Sequence, residues 1–160
     1  MKRNALTKFA MIAVATFVAS MVPTAQARPC SNAAEAGEYG LAATGSFILP
    51  TGPVPVVGVG RITEDADGNV VGSLTRSIGG QVSYEVLKGT VSINSDCTGT
   101  LVVQGFNASS GALVGTETLS TVVVDDGRKQ LGISTKLIAP DGTFLPSAIS
   151  TLAEKISAKD

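Results

Sequence analysis

From Tyr39 onward the chain is a succession of short runs of threonine, valine, isoleucine and leucine, each bounded by glycine, proline, asparagine or aspartate. That punctuation predicts strands at 41–49, 56–63, 70–78, 81–87, 90–94, 99–107, 113–124 and 129–138. Eight strands packed this closely leave no room for crossover helices, because each parallel connection takes about a dozen residues or more. The expected sheet is an antiparallel meander.

The turns carry the same message. Pro50, Pro53 and Pro55 lack the N–H group that a central ladder needs. Asp67-Gly68-Asn69, Asp126-Gly127 and Asp141-Gly142 are suited to tight hairpins, where glycine takes backbone angles closed to other residues. Within the runs the faces alternate. Val70, Gly72, Leu74, Arg76 and Ile78 share one face, while Val71, Ser73, Thr75 and Ser77 share the other. Val82, Tyr84 and Val86 likewise oppose Ser83, Glu85 and Leu87, and the run from Leu101 to Phe106 is partly apolar on both faces. In the tail the period changes: Ile149, Leu152, Ala153 and Ile156 fall at helical spacing, which predicts a short helix over about 148–158, capped by Ser147. The expected fold is all-β, a barrel of about eight antiparallel strands with a C-terminal helix, and the alternative is a two-sheet β-sandwich. Glycines inside strands at 45, 58, 60, 72, 105 and 132 favour the barrel, since closure needs bends and removes exposed edges.

Ahead of this domain, Lys2, Arg3 and Lys8 lead an apolar run over 9–22, followed by Ala25 and Ala27. These are the parts of a secretory signal peptide at 1–27, too short in its apolar run to be a membrane anchor. Arg28 and Pro29 before Cys30 do not suit a lipid anchor. The expected product is soluble and periplasmic or extracellular, with an arm at 28–38 and one domain at 39–160. It retains nine basic and thirteen acidic residues, scattered rather than clustered, so neither nucleic acid nor stable membrane insertion is expected. Its two cysteines, Cys30 and Cys97, form a candidate disulfide that staples the arm to the fold. Two free thiols, or an intermolecular bond through Cys30, are the alternatives.

Three segments are familiar as a set: GEYGLAATGSF at 37–47, GVGRITEDADGNVVGSLTRSIGG at 58–80 and GTVSINSDCTGTLVV at 89–103. Together they resemble a group of small exported bacterial proteins of uncharacterised function that look like lipocalin or calycin-type barrels, with Asp96-Cys97-Thr98-Gly99-Thr100 as the most specific element. Val91 stands where that pattern usually has tyrosine. The resemblance implies a barrel and export, and it implies no catalytic residues.

The chain contains no histidine, which removes imidazole-based triads and imidazole metal ligation. Glu64, Asp65, Asp67 and Asn69 offer oxygens to calcium, but a tight turn between strands uses such residues to cap its own backbone. No cofactor, metal site or catalytic group is expected. Two functions stay open: a binding protein with a small hydrophobic molecule in the barrel, or a structural or surface-interaction protein with a solid core; an enzyme on the same scaffold is third. Val82, Tyr84, Leu101, Val103 and Phe106 are the candidate ligand contacts. A cavity above about 300 Å³ separates the first two readings.

Overall fold

The computed structural model describes residues 29–156. The expected signal peptide lies outside the described residues. Eight strands follow one another around a closed barrel: β1 (Gly37–Leu49), β2 (Gly52–Glu64), β3 (Asn69–Ile78), β4 (Gln81–Ile93), β5 (Thr98–Asn107), β6 (Leu113–Val124), β7 (Lys129–Ile138) and β8 (Ser147–Lys155). Every pairing is antiparallel, and β8 closes on β1. The closed order decides for the barrel over the sandwich.

β1 and β2 begin at Gly37 and Gly52, ahead of the expected 41 and 56, and two element assignments also differ from the sequence reading. The runs at 81–87 and 90–94 are a single strand, because Gly89 is paired on both sides, to Val70 of β3 and Val103 of β5. It is glycine because the backbones approach: a Cβ there would stand 2.2 Å from the Val102 carbonyl oxygen. The expected C-terminal helix is instead β8. A four-residue spacing such as Ile149 to Ala153 is shared by one face of a helix and one face of a strand. Here both point inward and are buried, while Leu152 of the supposed helical stripe lies outside at 39% exposure. Pairing with both β1 and β7 satisfies the backbone groups that would otherwise leave two open edges.

The Asp-Gly turns behave as their chemistry demands, with Gly68, Gly127 and Gly142 at φ of 87°, 82° and 86°. Pro53 and Pro55 occupy the end of β2 that extends beyond β3, where no ladder partner needs their missing N–H groups. The outer surface mixes threonine, serine and charges with exposed apolar side chains, among them Val57, Val59, Tyr84, Leu131, Ile133 and Leu152. A buried cluster of Tyr39, Ile62, Val70, Leu74, Leu87, Val91 and Ala153 packs part of the inside. No helix among the described residues is long and apolar enough to cross a membrane.

One end of the barrel is plugged. The single-turn α1 (Asn32–Glu35) is capped by Ser31, whose Oγ accepts from Ala34 N at 3.2 Å. Asn32 fixes the plug to β4: its Nδ2 donates to the Val91 carbonyl at 3.1 Å and its Oδ1 accepts from Ile93 N at 2.8 Å. The Tyr39 hydroxyl donates to the Glu35 carbonyl. Cys30 and Cys97 are disulfide-bonded with Cα atoms 5.0 Å apart, which ties the arm to the β4–β5 turn. Neither two free thiols nor an intermolecular bond through Cys30 is what the structure shows.

Candidate functional site: the barrel interior

Above the packed cluster, the interior opens into a cavity of about 220 Å³. Its floor is the top of that cluster, including Ile62, Val70, Leu74 and Leu87. Its walls are the inward positions of successive strands, among them Leu41, Ala43 and Phe47 of β1, Leu101 and Val103 of β5, and Leu119 of β6. At the end opposite α1, the connection between β7 and β8 folds back over the rim. It is held by Leu145 N donating to the Leu137 carbonyl at 2.9 Å and Ile48 N donating to the Pro146 carbonyl at 2.7 Å. That anchoring turns Leu145 into the cavity wall.

The volume falls short of the 300 Å³ mark set by drug-sized pockets, yet it exceeds by an order of magnitude the roughly 10–15 Å³ that one water requires. The interior is therefore neither solid nor capacious. It has the size of a small molecule.

The wall has one charged sector. Arg76 of β3, Glu85 of β4 and Glu117 of β6 all line the cavity. Arg76 Nη2 lies 2.7 Å from Glu85 Oε1, and the Glu85 side chain is only 1% exposed. Ser83 Oγ donates to the same carboxylate oxygen at 3.0 Å. Gly105 on β5 makes room for it, since a Cβ at that position would stand 2.6 Å from Glu85 Oε2. Glu117, paired across the sheet with Val103 and Leu137, has its pKa raised by burial, with the Ser134 hydroxyl and the Arg76 charge pulling it back down and the Glu85 charge pushing it up. Its Oε1 and the Nε of Arg76 are buried without a hydrogen-bond partner in the protein. Such atoms are costly to leave unpaired in an apolar setting.

A second buried polar group sits at the plugged end. Gln130 Nε2 donates to Glu64 Oε2 at 2.8 Å, and burial raises the Glu64 pKa. Burial also pushes the Tyr39 phenol to about 12. Of these groups Tyr39 is bonded to α1 at the Glu35 carbonyl, and none of the three lines the cavity.

Of the five candidate contacts, Leu101 and Val103 line the cavity. Val82 and Tyr84 do not: they are 59% and 65% exposed on the outer face. Their neighbours Ser83 and Glu85 take the inward positions of β4. Phe106 also lies outside the cavity lining, with the Lys88 ammonium 5.8 Å from its ring centroid. β4 turns the face of Ser83 and Glu85 inward along its whole length: Leu87 and Val91 belong to the buried cluster, and Glu85 on the same face meets Arg76 from β3. Arg76, Glu85 and Glu117 were not among the expected contacts. The available signal was Arg76 itself, a charge on the otherwise apolar face of Val70, Leu74 and Ile78.

The acidic turn at 65–69 is self-contained. Asp65 Oδ1 accepts from Asp67 N and Asn69 N at 3.0 and 2.8 Å, and Oδ2 accepts from Asn69 Nδ2 at 2.8 Å. Its oxygens are committed to the turn. No protein-family model and no curated protein matches the chain.

Proposed function

We propose that this protein is an exported binding barrel that holds a small, largely apolar molecule in its interior. The observation that carries the reading is the cavity of about 220 Å³, walled by apolar side chains from β1, β3, β5 and β6. A scaffold whose work lay only on its surface has no need of such a void, and empty space costs stability, on the order of 24 cal/mol per Å³ in core-truncation series. The plug of α1 and the disulfide stiffen one end of the barrel, so that the interior is held open by the ladder rather than by the ligand. The disulfide also suits an oxidising compartment. The basic and apolar pattern of the first 27 residues supports export into one.

Native mass spectrometry of protein purified from its own host tests the reading. The expected spectrum contains a species heavier than the chain by one small molecule, which organic denaturation releases. A bare chain mass in every preparation, together with no uptake of added apolar compounds, would return the barrel to the structural alternative.

A further inference from the structure

The charged sector of the cavity wall narrows the class of ligand, an inference that rests on the binding function proposed above. A cavity made only to hold hydrocarbon has no use for Arg76, Glu85 and Glu117, each of which costs desolvation energy to bury. Arg76 is engaged with Glu85 through Nη2, and Ser83 supplies a further hydrogen bond to the same oxygen. What is left over is one buried acceptor, Glu117 Oε1, and one buried donor, Arg76 Nε. With two carboxylates to one guanidinium, the sector carries no surplus positive charge for an anion.

We propose that the interior selects molecules with an apolar body and a hydrogen-bond-donating, non-acidic head, a hydroxyl or an amine, which donates to Glu117, and that it rejects the matching carboxylate. The apolar body lies against Leu41, Leu101 and Val103. A carboxylate head brings no donor for Glu117 and adds a third negative charge to a water-poor site, where like charges are poorly screened. A hydroxyl supplies the missing donor and accepts in turn. An ammonium supplies donors and balances the charge.

The test is calorimetric titration of the intact, disulfide-bonded protein at pH 7 with 1-octanol, octylamine and octanoate, repeated with Glu117→Leu and Glu117→Gln. The expected result is at least tenfold tighter binding of octanol or octylamine than of octanoate. The comparison between those two arms tells whether the hydroxyl or the cation is the better head. Glu117→Leu should reduce the preference to within about twofold while octanol still binds. Glu117→Gln, which keeps an acceptor oxygen and is the milder change for folding, should retain octanol and lose most of the advantage of octylamine. Octanoate binding as tightly as the other two, or an unchanged preference in Glu117→Leu, overturns the head-group assignment and leaves the binding function standing. Failure of all three compounds to bind overturns both.

Discussion

Arg76 Nη2 and Glu85 Oε1 meet at 2.7 Å inside the barrel, across the β3–β4 pair, with the carboxylate almost wholly removed from solvent. Their attraction compensates a desolvation cost that neither could bear alone. Arg76→Met should therefore destabilise the protein by about 3–5 kcal/mol, because it strands a buried carboxylate. The double variant Arg76→Met with Glu85→Met should recover most of that loss, since it removes both charges. Urea unfolding of the wild type, the two single variants and the double variant gives the comparison. A double variant no more stable than Arg76→Met would remove the pair from the account of the interior.

The hairpin order is legible in the sequence, and two features of the barrel are not. The hairpin punctuation at Gly68, Gly127 and Gly142 specifies an antiparallel meander because the glycine angles are local requirements, readable without knowing any partner. The strand at 147–155 was hidden because Ile149 and Ala153 satisfy helical and strand spacing alike, and only the unpaired edges of β1 and β7, distant in sequence, decide between them. The facing of β4 was hidden for a different reason. Within 81–87 the more apolar set is Val82, Tyr84 and Val86, but in the full strand the opposite face carries Leu87, Val91 and Ile93, which enter the core and bring Glu85 in beside Arg76. Alternation read over part of a strand gives the wrong face when the core residues lie in the remainder.

The disulfide gives a second prediction. Exported protein should begin at Arg28 and carry the Cys30–Cys97 bond, so its intact mass should lie about 2 Da below that of the same chain after reduction, with no thiol open to alkylation before it. Replacing both cysteines by alanine should cost up to roughly 4 kcal/mol, since the bond closes a long loop in the unfolded chain. Two alkylatable thiols in freshly exported protein would contradict the assignment of an oxidised staple.

Stability should rise on mild acidification. Glu64 and Glu117 have pKa values raised above the ordinary 4.5, chiefly by burial. The folded state holds their protons more tightly than the unfolded chain, so their favourable contribution is complete below about pH 4.5 and is lost as pH rises through the folded values. Asp65, Asp96 and Asp141 act in the opposite sense: hydrogen bonds from Asn69, Thr98 and Thr143 lower them from 3.8, and their contribution is lost as pH falls below that value. Thermal midpoints should climb from pH 7 toward about 4.5 and drop below about 3.8. In Glu64→Gln with Glu117→Gln the climb should flatten. A midpoint that falls steadily from pH 7 downward in the wild type would contradict the burial of these two carboxylates.

Closure of the barrel makes Gly45 sensitive. It sits in β1 with φ of 157°, and a Cβ there would stand 2.0 Å from the Ala148 carbonyl oxygen of β8. Gly45→Ala must push the closing strand away, at a cost on the order of 3 kcal/mol from strain and overpacking. Hydrogen exchange should show the loss first in the amides of β8. An alanine variant with unchanged protection across the β1–β8 pair would mean that the two strands are farther apart than the register requires.

The most direct measurement of the central claim, a ligand held inside the barrel, is titration with the neutral apolar dye N-phenyl-1-naphthylamine, whose emission rises on leaving water. The wild type should bind one dye per chain and release it to 1-octanol. Val103→Trp, which fills the cavity from β5, should weaken binding at least tenfold, while Tyr84→Thr on the outer face should leave it unchanged. Dye binding lost in Tyr84→Thr and kept in Val103→Trp would place the apolar site on the outside of the barrel and contradict the account.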